Sequence, residues 1–373
     1  MPMEEKATIY VGDIVRALEE FAPPALQEDY DNSGMQVGSR SAACSGVLLC
    51  VDVLPETIDE SIARRCNLIV SHHPLIFKGL KSLTGATPQQ TAIMNAIAAG
   101  VSVYSCHTSL DNTVGGVSHE MARRLGVSDP TLLERMRHKM MKLATMVPDD
   151  DVETVRMALF EAGAGSLGNY DSCSFGVRGE GTFRALDNAN PYVGDIMEMH
   201  VEPETRLEVL LPAWRKSQVE EALRAVHPYE EPAYDFLMLE NESCHWGSGV
   251  VGNLAEPISP ARLIDRVKDA FGSPMVRCTR HEADTPLRRI AMCGGSGAFL
   301  IPAAIAARAQ AIVTSDVKYH DFVDYADRIL IIDIGHYESE QCTKEIFYHV
   351  ISKKFPNFAI HYAEKEKNPI NYR

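Results

Sequence analysis

Two series of short apolar runs, one in each half of the chain, constrain the fold more than any other feature. Residues 46–53 (GVLLCVDV), 68–70 (LIV) and 101–105 (VSVYS) are apolar and rich in β-branched residues, the signature of buried strands. Residues 55–65 and 89–99 lie between them with helical spacing, and Gly100 closes the second helix. A comparable series returns late in the chain. Strands are expected at 289–293, 311–314 and 328–333, with helices at about 299–309 and from about 340 to Lys354. In both halves the second and third strands run into His and Asp residues: LIVSHHP beside AIVTSDVKYH, and VSVYSCHTSLD beside LIIDIGHYESE. Such correspondence reads as an internal duplication. Alternating strand and helix imply an α/β domain with a largely parallel sheet, whose ligands collect at the carboxyl ends of the strands.

The middle of the chain has a different character. A strand and helix (141–163), a Gly- and Ser-rich segment (163–183), the strand RLEVLLP, a helix to Val226 and HPYEEPAYDFLML follow one another. Strand–helix–strand taken twice is a split βαβ pattern, which predicts a small α+β (ferredoxin-like) domain with an antiparallel sheet. The expected division is a discontinuous α/β domain, 1–128 with 248–373, interrupted by an insert at 129–247; entry at a surface loop is the simplest route.

Composition narrows the class. At 373 residues and 45% hydrophobic content the chain can bury cores for two or three domains. A net charge of −15 suits a soluble cytosolic enzyme and argues against a protein that coats nucleic acid or anionic membrane. The opening MPMEEKATIYVGDIV is not a signal peptide, and no run approaches the roughly 18 apolar residues of a membrane span. Nine cysteines without a CxxC pair read as reduced thiols, so a cytoplasmic location is expected.

The chemistry gathers where strands end. His72 and His73 follow an apolar strand and precede Pro74, which stops any ladder or helix from passing through them. On a strand, neighbours point to opposite faces, so two adjacent ligands belong on the turn beyond it. Alone, the pair suits an ordinary loop with two solvated histidines better than a metal site. His107, Asp111, Asp316, His320, His336 and Glu340 occupy the ends of the other strands. His336 and Glu340 are four residues apart at a helix start, on one face, and can grip one ion. Histidines with carboxylates and no cysteine form a nitrogen–oxygen set suited to Zn, Mn, Fe, Co or Ni. Five or more ligands exceed the need of one structural zinc, which points to two ions bridged by a carboxylate.

Three other motifs carry less. GGSG (294–297) suits a tight turn between strand and helix better than a phosphate cradle, since no lysine accompanies it. HPYEE (227–231) suits a sheet edge or an oligomer contact better than a metal site. Cys106, beside His107, suits a buried thiol better than a nucleophile.

Taken together, SHHPLIFKGLK, HTSLDN, TSDVKYHD and GHYESE resemble the NGG-interacting-factor-like family, also known as GTP cyclohydrolase 1 type 2 homologs. The resemblance covers essentially the whole chain, with GNYDSCSFGVRGEGTF and HPYEEPAYD similar to the CutA-like (PII-like) insertion of the longer bacterial members. It implies two divalent metal ions, Zn foremost, held by His72, His73, Asp111, His336 and Glu340. It also implies a toroidal homohexamer with the metal sites facing an inner cavity. The family's name implies a hydrolase of a nucleotide or other phosphorylated small molecule. Surplus positive charge over Asp111 and Glu340 would draw an anionic substrate. In a cyclohydrolase a bridging water would attack C8 of guanine, with His107 or His320 as the proton donor. The alternative is a metal-dependent scaffold or regulator whose insert binds a partner or effector. Neither a membrane nor nucleic acid is expected as a partner.

Overall fold

In the computed structural model, which describes residues 8–280 and 285–373, the chain divides into two compact units. One runs to Glu134 and resumes at Trp246–Arg373; the other is Arg135–His245.

The first unit holds two sheets rather than one. In the five-stranded sheet the order is Gly34–Val37, Ser102–Ser105, Leu68–Ser71, Val47–Cys50, Ile360–Tyr362. The last four run parallel, and Gly34–Val37 is antiparallel to its neighbour. In the six-stranded sheet the order is Arg277–Cys278, Leu330–Asp333, Ala311–Ser315, Leu287–Ser296, Gly247–Ile258, Val127–Arg135. Its central three are parallel, while Arg277–Cys278 and Gly247–Ile258 are antiparallel to the strands they flank. Each sheet therefore contains a parallel trio in chain order, with an antiparallel strand against the third member. That repeat matches the paired motifs of the sequence. The single, largely parallel sheet is corrected to two mixed ones, for a simple reason. Helical crossovers enforce parallel neighbours within each trio, whereas Gly34–Val37, Arg277–Cys278 and Gly247–Ile258 lie outside the trios and run the other way.

Side-chain alternation builds the layers. Val47, Leu49, Leu68 and Val70 share a core with Ile290, Met292, Val313 and Ile332. Filling the space between are Ile14 and Leu18, Met121, Leu263 and Val267, and Phe347 and Ile351. They come from the helices Val11–Phe21, Val117–Leu125, Pro260–Phe271 and Thr343–Lys354. The residues between them in sequence face the other way. Leu48, Cys50 and Ile69 pack on Ile58 and Ile93; Ala291, Ile312 and Ile331 pack on Leu300 and Ala304. The result is helices, sheet, helices, sheet, helices. Trio strands are covered on both faces, which is why they read as unbroken apolar runs.

Two local expectations change. The strand Leu287–Ser296 runs on through Gly294 and Gly295, so GGSG is not simply a turn. The helix expected from about residue 299 is a turn of 3₁₀ helix, Ala298–Leu300, and then Ile301–Ala306.

The second unit is a four-stranded antiparallel sheet in the order Ser174–Arg184, Met199–Pro212, Met140–Pro148, Tyr234–Met238. Leu143, Val147, Leu207 and Val209 pack on Val155 and Leu159 of Val152–Glu161 and on Val219 and Leu223 of Lys216–Val226. This is the split βαβ order, with the first and last strands side by side. All nine cysteines are free. Among the described residues, no helix is long and apolar enough to cross a membrane.

Candidate metal centre

Backbone pairing places the two adjacent histidines. Beyond the end of Leu68–Ser71, the N–H groups of His72 and His73 donate to the carbonyls of Cys50 (3.2 Å) and Val51 (2.9 Å). The hydroxyls of Ser71 and Ser105 both donate to the His73 carbonyl, at 2.9 and 3.2 Å. The turn is thus locked, and the rings are presented to one side, 5.1 Å apart. His107 follows Ser102–Ser105 and caps the short helix Thr108–Asp111. His336 opens the helix His336–Glu340, entered through Gly335 at φ +91°, a region that favours glycine.

Each of these four imidazoles has one nitrogen tied down. Nδ1 of His72 meets the Cys106 carbonyl at 3.0 Å, and Nδ1 of His73 meets Asp52 at 2.8 Å. Nδ1 of His107 meets Asp31 at 2.7 Å, and Nδ1 of His336 meets Asp316 at 2.5 Å. An oxygen acceptor at Nδ1 holds the proton there and leaves Nε2 as a lone pair, the tautomer that metal ligation requires. Those Nε2 atoms converge. His73 and His336 approach to 3.2 Å through Nε2, and both face Oε2 of Glu340, at 2.8 and 3.0 Å. The other Glu340 oxygen lies 3.6 Å from His72 Nε2, and Asp111 Oδ1 lies 3.8 Å from it. Two groups reach metal-binding proximity: His72 with His73 and His107, and His73 with His336 and Glu340.

Two buried atoms test the fit of a cation. His72 Nε2 and Asp111 Oδ1 have no hydrogen-bond partner among the described residues, and leaving such groups unpaired away from water is costly. A cation lying between them would satisfy both. Electrostatics agrees. Burial, together with Glu340, pushes the Asp111 carboxyl well above the usual carboxylate range. Burial also opposes charge on Glu340, but His72, His336 and His73 outweigh it and hold that carboxyl well below its usual value. Burial disfavours the His73 and His336 imidazoliums as well. Hydrogen bonds to Asp52 and Glu340 nonetheless raise His73 to about 10, and Asp316 and Glu340 raise His336 to about 11. His72, fully buried, is lowered by burial. The cluster is a set of buried anions and imidazoles able to hold positive charge, as protons or as metal.

His320 stands apart. It is exposed on Tyr319–Tyr325, its ring 5.5 Å from that of Tyr319, and no contact among the described residues joins it to the cluster. Cys106 is buried, and burial raises its thiol to about 12, so it is held as a neutral thiol. Asp31 and Asp52 were not singled out by the motifs. Asp52 had a signal, an acidic residue ending the apolar run GVLLCVDV. Asp31 had none, since its setting, EDYDNS, reads as an ordinary turn.

A cleft of about 230 Å³ opens beside the cluster, lined by His107, Asp111, His336 and Glu340 with the strand end Gly294–Ser296 and by Tyr30 and Phe299. The rings of Tyr30 and Phe299 are largely exposed. Phe77 lies 6.4 Å from Tyr30 and 6.1 Å from His107, adding to an aromatic border. Among the described residues, no Lys or Arg lines the cleft. The surplus positive charge expected over Asp111 and Glu340 is offset by three further carboxylates, Asp31, Asp52 and Asp316, held against the histidines.

Comparison with known proteins follows the same lines. The Duf34/NIF3 (NGG1p interacting factor 3) family profile matches residues 9–369. A protein from Listeria innocua named GTP cyclohydrolase 1 type 2 homolog is 35% identical over 322 residues, 86% of this chain and 86% of its own. One of the same name from Bacillus subtilis is 33% identical over 365 residues, 96% of this chain and 97% of its own. A crystal structure of a Bacillus cereus protein related to NIF3 superposes with a TM-score of 0.85 at 30% identity, covering 99% of this chain and 100% of that one.

Proposed function

We propose, for a chain that belongs to the Duf34/NIF3 family, that the strand-end cluster holds two divalent metal ions and serves a hydrolase of a nucleotide or another phosphorylated small molecule. What carries this reading is Glu340: its two oxygens face different histidines, Oε1 toward His72 and Oε2 toward His73 and His336. A carboxylate so placed can bridge two ions, with His72 and Asp111 on one side and His336 on the other. His107 joins this ligand set rather than acting as a free proton donor, because Asp31 takes its Nδ1 and its ring lies 5.2 and 5.4 Å from those of His72 and His73. His320, exposed and without a contact to the cluster among the described residues, is not retained as a donor. Zn is the first candidate, with Mn, Fe, Co and Ni compatible with the same nitrogen–oxygen set.

Such a pair of ions would supply Lewis-acid polarisation and a nucleophilic water at neutral pH. The chain's own residues do the rest. Asp52, Asp31 and Asp316 fix the imidazole tautomers. Tyr30, Phe77 and Phe299 offer faces on which a planar heterocycle can stack, and the cleft keeps one side of the cluster open, as a catalytic site needs and a closed structural site lacks. With no basic residue lining the cleft, recognition of a phosphate would fall to the ions themselves.

The family resemblance also supports a cytoplasmic homohexamer and a CutA/PII-like assignment of the Arg135–His245 unit, the latter joined by its strand and helix order. Sedimentation of the 41.2 kDa chain checks the assembly. The functional test is turnover of GTP and a panel of phosphorylated heterocycles by protein loaded with Zn, Mn or Fe. Turnover should vanish with a chelator and return with metal. If no substrate is consumed with any metal, the scaffold or regulator reading takes its place.

A further inference from the structure

The HPYEE motif, which the metal centre does not use, borders a second cavity. About 480 Å³ in volume, it is lined wholly by residues of the Arg135–His245 unit. Four acidic residues line it, Glu180, Glu204, Glu230 and Glu231, and among the described residues no Lys, Arg or His does. Phe183, Tyr192 and Tyr229 form aromatic walls, with Tyr229 centred 6.0 Å from Phe183 and 6.3 Å from Tyr192. Met146, Ala185 and Pro191 add apolar surface.

The decisive residue is Glu204, only 9% exposed. Its Oε1 accepts the Tyr229 hydroxyl at 2.8 Å. Its Oε2 takes no hydrogen bond from the described residues and occupies the space that a Cβ on Gly181 would fill, so the bare glycine makes room for the carboxylate in the cavity wall. The motif braces this arrangement. His227 Nδ1 accepts the Tyr229 N–H at 3.1 Å while its Nε2 donates to the Met146 carbonyl at 2.9 Å. Those two roles fix the ring as neutral, so it brings no positive charge to Glu204. The Asn190 N–H donates to Glu230 at 3.0 Å and ties the Tyr192 segment to the motif.

We propose that this cavity binds an organic ammonium ion, its charged head on Glu204 and its apolar body against Tyr229, Phe183 and Tyr192. A carboxylate that is nearly buried and only half satisfied calls for a cation, and aromatic faces attract one in the same direction. The other ligand classes fit poorly. A nucleotide or other anion would meet four carboxylates and no base. A bare metal ion lacks a site, since no three metal-ligating groups converge in this unit among the described residues. The cavity is also far larger than an ion's needs, whereas its size and apolar walls suit a small organic body.

The test is calorimetric titration of the full-length, metal-loaded protein with phenethylammonium, alongside 2-phenylethanol and phenylacetate, which share the ring but not the charge. The ammonium should saturate, the alcohol should bind at least about tenfold more weakly, and phenylacetate should not bind. Glu204→Gln and Tyr192→Ala should each weaken the ammonium by about tenfold or more at unchanged metal content. Should Glu204→Gln fail to fold, Tyr192→Ala and Glu230→Gln, both at exposed positions, decide the matter. Equal binding of the alcohol, binding of phenylacetate, no saturation by about 10 mM, or wild-type affinity in the variants would overturn the proposal.

Discussion

Every imidazole of the cluster is aimed by an oxygen acceptor at Nδ1, for His73 and His107 a carboxylate outside the histidine motifs, and that dependence can be measured. Outer partners of ligating histidines are commonly worth 10- to 100-fold in metal affinity. Asp52→Asn and Asp31→Asn should therefore lower affinity by about that factor while the proteins remain folded. His72→Ala and Glu340→Ala should lose bound metal outright; unchanged occupancy in both, by elemental analysis, would remove the assignment. The raised His73 and His336 values add a prediction about protons. A metal ligand must be neutral imidazole, so metal added at pH 7.5 to the metal-free protein must displace at least the protons of His73 and His336, which titrate at about 10 and 11. An indicator dye in weak buffer reads that release, and its absence counts against both residues as ligands. The stability consequence has a definite sign. Folded values above the unfolded 6.5 favour the folded state fully below pH 6.5, and the benefit is lost as pH rises through about 10 and 11. The metal-free protein should melt at progressively lower temperature over that window. The metal-loaded protein, whose imidazoles are already unprotonated, should lack this contribution.

At the scale of elements, the strand ends do the positioning, and one of them depends on a glycine that looked like turn material. Gly295, at φ +60°, sits where a Cβ would overlap Oε1 of Glu340. Gly295→Ala should cost roughly 1–3 kcal/mol from backbone strain alone, with the Glu340 carboxylate displaced and metal content reduced. Gly79→Ala, where nothing lies within 4 Å of the added Cβ, should change neither and serves as the control. The role of Gly295 was hidden because the contact joins residues 45 apart, and sequence spacing carries no such information. The trio strands were legible for the opposite reason: burial on both faces forces continuous apolar runs, and three of the five ligands that the resemblance implies, His72, His73 and His336, fall within three residues of a strand end, with Asp111 and Glu340 about one helical turn further on. The i, i+4 pair His336 and Glu340 was likewise readable, since helix geometry alone puts it on one face, and the two side chains meet at 3.0 Å. The division into two sheets and the antiparallel edges was not readable, because edge pairing leaves no periodic mark in the strand that joins. Nor was the clustering of His107 with His72 and His73. Strand order decides which strand ends are neighbours, and the trio places Ser102–Ser105 beside Leu68–Ser71.

For the whole molecule, the cores are separate. The three apolar clusters built on the two large sheets contain no residue from Arg135–His245, and that unit's cluster contains no residue from outside it. Each unit can therefore lose the other without opening a cavity in its own core. The ends of the insert also meet: the Ser243 N–H donates to the Met136 carbonyl at 2.8 Å, and Arg137 pairs with Glu242 at 2.6 Å. Chain segments held this close by a backbone hydrogen bond can be joined by a loop of about two to four residues, so residues 137–242 can be replaced by a Gly-Ser linker of that length. Shortening a connection changes closure entropy only logarithmically, so the excision should cost the metal-binding unit little in thermal stability. The excised protein should fold, keep the metal stoichiometry of the full chain and lose phenethylammonium binding altogether. Aggregation or lost metal would show that the insert is integral to the fold of the metal-binding unit. Ammonium binding that survived the excision would place the cation site outside the HPYEE cavity and end that assignment.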